Sequence, residues 1–197
     1  MAERVGEPAS DHEPAWRALV PKAQLGDRAA RAALYEEFAP TVHAIALAHV
    51  GRQSADDVTQ DVFCTVFASL SRLRDPGAFA GFLCTSARNA SRDLLRRDQR
   101  APRAIPDDAR HAMPDEAAAS PADAAEASET TERVFEAVQQ LPEAYREPLL
   151  LRLVSGLSGA EIAARTGMTH GSVRVNLTRG MAMLRERLKN LLPEVTP

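Results

Sequence analysis

The sequence predicts an all-α protein: two helical domains joined by a flexible acidic linker. Aromatic residues are scarce (5%), and the 45% hydrophobic content comes mostly from alanine and leucine, which favours helices over sheets. Apolar residues recur at three- and four-residue spacings, and no stretch shows the period-two alternation of a strand. Between two such tracts lies a segment rich in Pro, Ala and acids, which cannot bury enough apolar surface to order itself.

Residues 1–13 are polar and acidic and include Pro8, as in a disordered tail. Trp16, Leu19 and Val20 start a first helix that Pro21 should bend or end. Ala29 to Phe38 form a second, with Leu34, Tyr35 and Phe38 on one side, and Pro40 opens a third that runs to Gly51. Ser54 caps a longer helix to about Leu70, with Asp57 near its positive end. Val58, Val62, Phe63, Val66, Phe67 and Leu70 form its core stripe. Asp75 caps the last helix of this domain, with Pro76 at its first position, and it runs from about Gly77 to Arg97. Phe79, Phe82, Leu83, Ala87, Ala90 and Leu94 face inward, and Trp16, Tyr35 and Phe38 read as core.

The first domain therefore spans residues 14–100 and the linker 101–131, with Pro102, Pro106, Pro114 and Pro121. Residues 132–192 form the second domain, followed by a short tail, 193–197. Pro148 should kink its early helix. Ser158 and Glu161 have capping-box spacing, Gly167 supplies a left-handed turn, and Thr169 caps the next helix. That helix exposes His170, Ser172, Arg174, Asn176 and Arg179 around an inner Val173 and Leu177, the layout of a helix-turn-helix reading a major groove. Gly180 within it weakens the helix by up to about 1 kcal/mol relative to alanine.

The net charge of −3 hides segregation: residues 72–100 carry net +4, 101–132 net −6, and 141–190 net +4. Affinity for phosphate would come from the two basic blocks. In the first block, Arg88, Arg92 and Arg96 stand at four-residue intervals, like charges whose mutual repulsion suggests a polyanion opposite them. Asp57, Gln60, Asp61 and Cys64 share a face that is either solvated or a docking surface for a basic protein. Cys64 and Cys84 are too few for a disulfide framework and suit a reducing cytoplasm. The N-terminus has no signal-peptide core, and the longest apolar stretches fall far short of the roughly 20 residues that span a bilayer. His43 and His49 are six residues apart and the cysteines lie on different helices, so no metal site is expected; no cofactor, catalytic group or small-molecule substrate is assigned.

Asp56-Asp57-Val58-Thr59-Gln60-Asp61-Val62-Phe63 resembles a signature of bacterial sigma factors. So do Phe79-x-x-Phe82-Leu83, Ala87-Arg88-Asn89 and Leu95-Arg96-Arg97. Leu141-Pro142-Glu143, Arg146-Glu147, Leu150-Leu151-Arg152, Gly156-Leu157-Ser158, Glu161-Ile162-Ala163 and Gly171-Ser172-Val173-Arg174 resemble their second DNA-binding domain. Order and spacing over residues 14–192 resemble the extracytoplasmic-function (ECF) sigma factors of the sigma-70 family. The chain departs from the pattern at Phe82, where tryptophan is usual, at Cys84, where an aromatic is frequent, and at Asn176, where a basic residue is common.

The resemblance implies a non-enzymatic promoter-specificity subunit of bacterial RNA polymerase. A region 2-like domain would bind the clamp helices of the largest subunit through Asp57, Gln60, Asp61 and Cys64. Its loop and following helix would hold the melted −10 element through Arg72, Arg74, Arg88, Asn89, Arg92 and Arg96. A region 4-like domain would meet the flap of the second-largest subunit. It would read the −35 duplex with His170, Ser172, Arg174, Val175, Asn176, Thr178 and Arg179. An anti-sigma factor is the expected regulator and the cytoplasm the expected compartment, including the case of a membrane-held anti-sigma. The linker is either an RNA-mimicking strand in the polymerase channels or a tether. Two other readings differ in what they bind. A stand-alone helix-turn-helix regulator with a sensor or dimerisation domain would grip duplex DNA without polymerase. A sigma mimic would bind polymerase or an anti-sigma protein without starting transcription.

Overall fold

The structure, a computed structural model, describes residues 14–100 and 131–191. Both expected tails and all but the last residue of the expected linker lie outside these residues. A 3₁₀ turn, Ala15–Ala18, leads into α1, Leu19–Gln24. Then come α2 (Arg28–Val50), α3 (Arg52–Ser69) and α4 (Phe79–Arg100). Past the gap, α5 covers residues 131–139, followed by α6 (Glu143–Leu153), α7 (Gly159–Thr166) and α8 (His170–Leu191). No strand occurs among the described residues.

Prolines break fewer helices than the sequence suggests. α2 is one 23-residue helix through Pro40, not two helices. Asp27 caps it, accepting from the Ala29 and Ala30 amides. Leu34, Phe38, Val42 and Ile45 are fully buried on either side of Pro40, so tertiary packing holds both halves in register despite the missing donor. Pro21 likewise does not end α1, because it sits in the first turn, where amides have no intrahelical acceptor. Pro148 lies buried inside an unbroken α6.

α3 begins at Arg52 behind Gly51, whose φ of 79° makes the turn, so Ser54 is not its cap and Asp57 lies beyond the first turn. Tyr35 is exposed, not core: its ring packs on Phe63 (centroids 4.7 Å apart) at the surface. Trp16, Phe38 and Phe79 do pack together, with edge-on Trp16–Phe38 and Phe38–Phe79 pairs at 5.3 Å.

α2 is the spine, packing against α1, α3, α4 and, across the gap in sequence, α6; α4 also packs on α7. One contiguous apolar cluster includes Leu34, Phe38, Phe79 and Leu83 of the first domain and Leu141, Leu149, Leu151 and Ile162 of the second. The two domains are closed onto each other.

Candidate nucleic-acid interface

The second domain builds α8 with local chemistry. The Ser158 Oγ accepts from the Glu161 amide and the Glu161 carboxylate accepts from the Ser158 amide, completing the capping box. Those Ser158 contacts hold the Glu161 carboxyl below the usual range. Gly167 closes α7 in the left-handed conformation at φ 75°. Thr169 then caps α8, its Oγ1 accepting from the Ser172 amide (3.1 Å). Ile162, Ala163 and Val173 are buried between the two helices.

On α8, His170, Ser172, Arg174, Val175, Thr178 and Arg179 are exposed, while Asn176 is half-buried. The Ser172 hydroxyl pairs with Thr169 Oγ1 at 2.8 Å, so it serves the cap. A shallow cleft of about 700 Å³ runs along the helix between Gly159, Ala160, His170, Gly171, Arg174 and Thr178. Gly180 turns out to be a contact point. A Cβ there would stand 2.8 Å from Leu149 Cδ1 and 3.2 Å from Tyr145 Cβ, so glycine lets α8 lie against α6.

In the first domain, Asp57, Gln60, Asp61 and Cys64 are all exposed on α3. An open groove of about 770 Å³ between α3 and α4 brings Asp57 and Asp61 together with Ser86, Asn89, Asp93 and Arg97. The expected protein-docking face and the expected base-reading Asn89 are thus adjacent. Arg72 and Arg74 are exposed in the connection before α4. That connection is pinned by Gln24, whose Nε2 donates to the Leu70 and Leu73 carbonyls (3.0 and 2.7 Å). Asp75 caps the turn that follows, accepting from the Gly77 amide. Arg92 is exposed, and Arg96 is exposed with Asp93 3.3 Å away.

Arg88 is placed elsewhere than with Arg92 and Arg96. Its guanidinium grips Glu147 of α6 with contacts of 2.7, 3.0 and 3.1 Å and also donates to the Thr166 carbonyl. Burial pushes the Glu147 carboxyl up, but neighbouring His49 and Arg88 more than reverse this and hold it below its ordinary value. Burial also works against the charged guanidinium, and Glu147 more than offsets it, raising the Arg88 pKa. A second junction joins the domains at Arg165, which meets Glu37 (2.6 Å), Thr41 Oγ1 (2.9 Å) and the Phe38 ring face (4.7 Å). Gln139 donates to the Leu47 carbonyl and Ser155 to the Pro40 carbonyl. In the sequence Glu147 stands out only as part of Arg146-Glu147, although an acid beside the apolar run Pro148, Leu149, Leu150 and Leu151 signals a buried partner; no local signal marks Arg165. Cys84 lies beside Arg88, buried, its thiol pushed up to about 12 by that burial. His43 and His49 face Asp56 and the Glu143–Glu147 pair respectively. No group of three or more His, Cys, Asp or Glu side chains that could hold a metal ion occurs among the described residues, nor any helix long and apolar enough to cross a membrane.

The family model for sigma-70 region 2 matches residues 34–101, and that for sigma-70 region 4 matches residues 131–184. The ECF RNA polymerase sigma factor SigD of Mycobacterium tuberculosis is 36% identical over 87% of this chain and 82% of its own length. The RNA polymerase sigma factor CarQ of Myxococcus xanthus is 33% identical over 82% of this chain and 91% of its own. Among solved structures, that of CnrH in complex with the cytosolic domain of CnrY shares the fold. Its TM-score is 0.63 at 24% identity, covering 90% of this chain and 99% of that one. With both regions present in order and relatives of this identity matched over most of their length, the chain belongs to the ECF sigma factors of the sigma-70 family.

Proposed function

We infer that this protein is a sigma factor that binds core RNA polymerase, directs it to specific promoters and promotes melting and initiation. The observation that carries this reading is the presence, in one chain, of regions 2 and 4, with His170, Arg174, Val175, Thr178 and Arg179 of α8 exposed. Family membership does not favour the stand-alone regulator. No bond-making step is assigned to the protein.

The exposed carboxylates Asp57 and Asp61, with Gln60 and Cys64 beside them, are the proposed site for the clamp helices of the largest subunit. Asn89, Arg92 and Arg96, with Arg72 and Arg74, are the proposed −10 contacts, with Asn89 bonding a base edge and the arginines the backbone. Unstacking a base costs a few kcal/mol, which strand and polymerase contacts must offset. Arg88 is committed to Glu147 in the closed arrangement, so its reach toward a strand requires the domains to part. On α8, the exposed His170, Arg174, Val175, Thr178 and Arg179 are the proposed −35 readers, with Ser172 acting through the cap and Asn176 at the edge. The flap of the second-largest subunit and an anti-sigma protein complete the proposed partners, and the cytoplasm is the proposed compartment.

Run-off transcription tests the reading. Core polymerase is combined with this protein and the DNA upstream of its own gene, with core alone as control. A discrete transcript that needs both components is expected. Tight binding of the protein alone to that duplex, with no transcript, would instead favour the stand-alone regulator.

A further inference from the structure

The surface of α8 that stands farthest from its packed side carries a row of short residues with one larger apolar member, Val175. Val173 and Leu184 are buried, Gly180 is buried against Leu149, and Leu177 packs beside them, which fixes the inward face. Opposite it, at i, i+4, i+7 and i+11, lie Gly171, Val175, Thr178 and Ala182, all exposed. Val175 is one of the few large apolar side chains left open to solvent, at 41% exposure. At 100° per residue, Arg174 and Arg179 fall on opposite flanks of this row. The row therefore points at whatever the helix faces, and the arginines straddle it.

Resting on the reading of α8 as the −35 helix, we propose that Val175 recognises the 5-methyl group of a thymine in the −35 element. On the major-groove edge of a base pair the substituents are hydrogen-bond donors or acceptors, with one apolar group among them, the thymine methyl. A valine covering a guanine or adenine edge, or a cytosine amino group, strands that group without a partner and is penalised. Against thymine it buries a methyl at no polar loss. Gly171 on one side and the short Thr178 and Ala182 on the other add little bulk around Val175, so the helix can come close enough for a short side chain to touch the base edge. Arg174 and Arg179 are too long to sit in the same narrow layer and serve guanines or phosphates on either flank.

The test uses the holoenzyme on the promoter found by run-off transcription. Each thymine of the −35 element is replaced in turn by deoxyuridine, which keeps the base pair and deletes only the methyl. Competition binding with wild-type protein should show an affinity loss of about four-fold at one position, the worth of a single buried methyl. Val175→Ala, an exposed substitution to a better helix former, should bind the natural element more weakly by a similar factor and lose nothing further at that deoxyuridine. Equal affinity for every deoxyuridine promoter, or a full methyl effect retained in Val175→Ala, would overturn the proposal. Scrambling the whole −35 element separates the two levels. If scrambling weakens binding while the methyls do not matter, only the thymine assignment fails; if scrambling has no effect, the role of α8 fails with it.

Discussion

Replacing Glu147 with glutamine probes the closed arrangement of the two domains at its most buried charge. The side chains of Glu147 and Arg88 are 8% and 18% exposed, and three contacts of 2.7–3.1 Å join them. Removing one member of a buried pair typically costs 3–5 kcal/mol, because the other charge stays behind without compensation. Here glutamine can still accept one hydrogen bond and Arg88 keeps the Thr166 carbonyl, so about 2 kcal/mol is expected. For a chain of this size that corresponds to a fall in Tm of about 4–8 °C. Thermal melting followed by circular dichroism measures it. The cycle with Arg88→Gln and the double variant isolates the pair, whose coupling should reach about 1 kcal/mol or more. The pH dependence has a definite sign. A carboxyl held below its ordinary value stabilises the fold above that value, and the contribution disappears as pH falls through the lowered one. Wild-type stability should therefore drop toward that of Glu147→Gln on acidification. Strict additivity of the two single variants, or an unchanged Tm for Glu147→Gln, would refute the latch.

Three further outcomes are expected. Gly180→Ala should destabilise by about 1 kcal/mol in urea unfolding, the clash with buried Leu149 outweighing the helix-propensity gain; a more stable variant would mean that α6 and α8 have room to spare. Thiol titration should find Cys64 reacting at once in the native protein and Cys84 only after denaturation, since Cys84 is buried with its thiol pushed up to about 12; fast modification of both would contradict that burial. Asp57→Lys with Asp61→Lys should abolish capture by core polymerase in co-purification while leaving the helical circular dichroism intact, because both side chains are exposed; undiminished capture would remove them from the docking site.

Local signals carried most of the architecture. Caps were legible where a short polar side chain sits next to its own helix: Asp75, Ser158 with Glu161, and Thr169 all cap as the spacing implies. Periodicity likewise identified the buried stripes Val58–Val62–Val66 and Phe79–Leu83–Ala87. Two misses are local, since Pro21 falls in a first turn and Gly51 starts α3 ahead of Ser54, whereas others come from contacts made far along the chain. Pro40 reads as a helix start because its neighbours are considered alone, yet burial on both sides carries α2 through it. Arg88 reads as one of three equivalent arginines until α6 brings Glu147, 59 residues away, against it. Gly180 reads as a weak point in a helix until Leu149 is seen to need the space. The exposure of most polar residues on α8 was visible from sequence, but the division into a capping Ser172, a half-buried Asn176 and an outward Val175 was not, because that depends on which face α6 covers.

The shared core has a consequence for the connectivity of the chain. α2 against α6, α4 against α7, the Arg88–Glu147 and Arg165–Glu37 pairs and one continuous apolar cluster all join the domains without using the residues between them. In the closed form the covalent connection then acts mainly through the high effective concentration it confers. A single proteolytic cut between residues 101 and 130 should leave two fragments that stay together through gel filtration, a nicked yet still folded molecule.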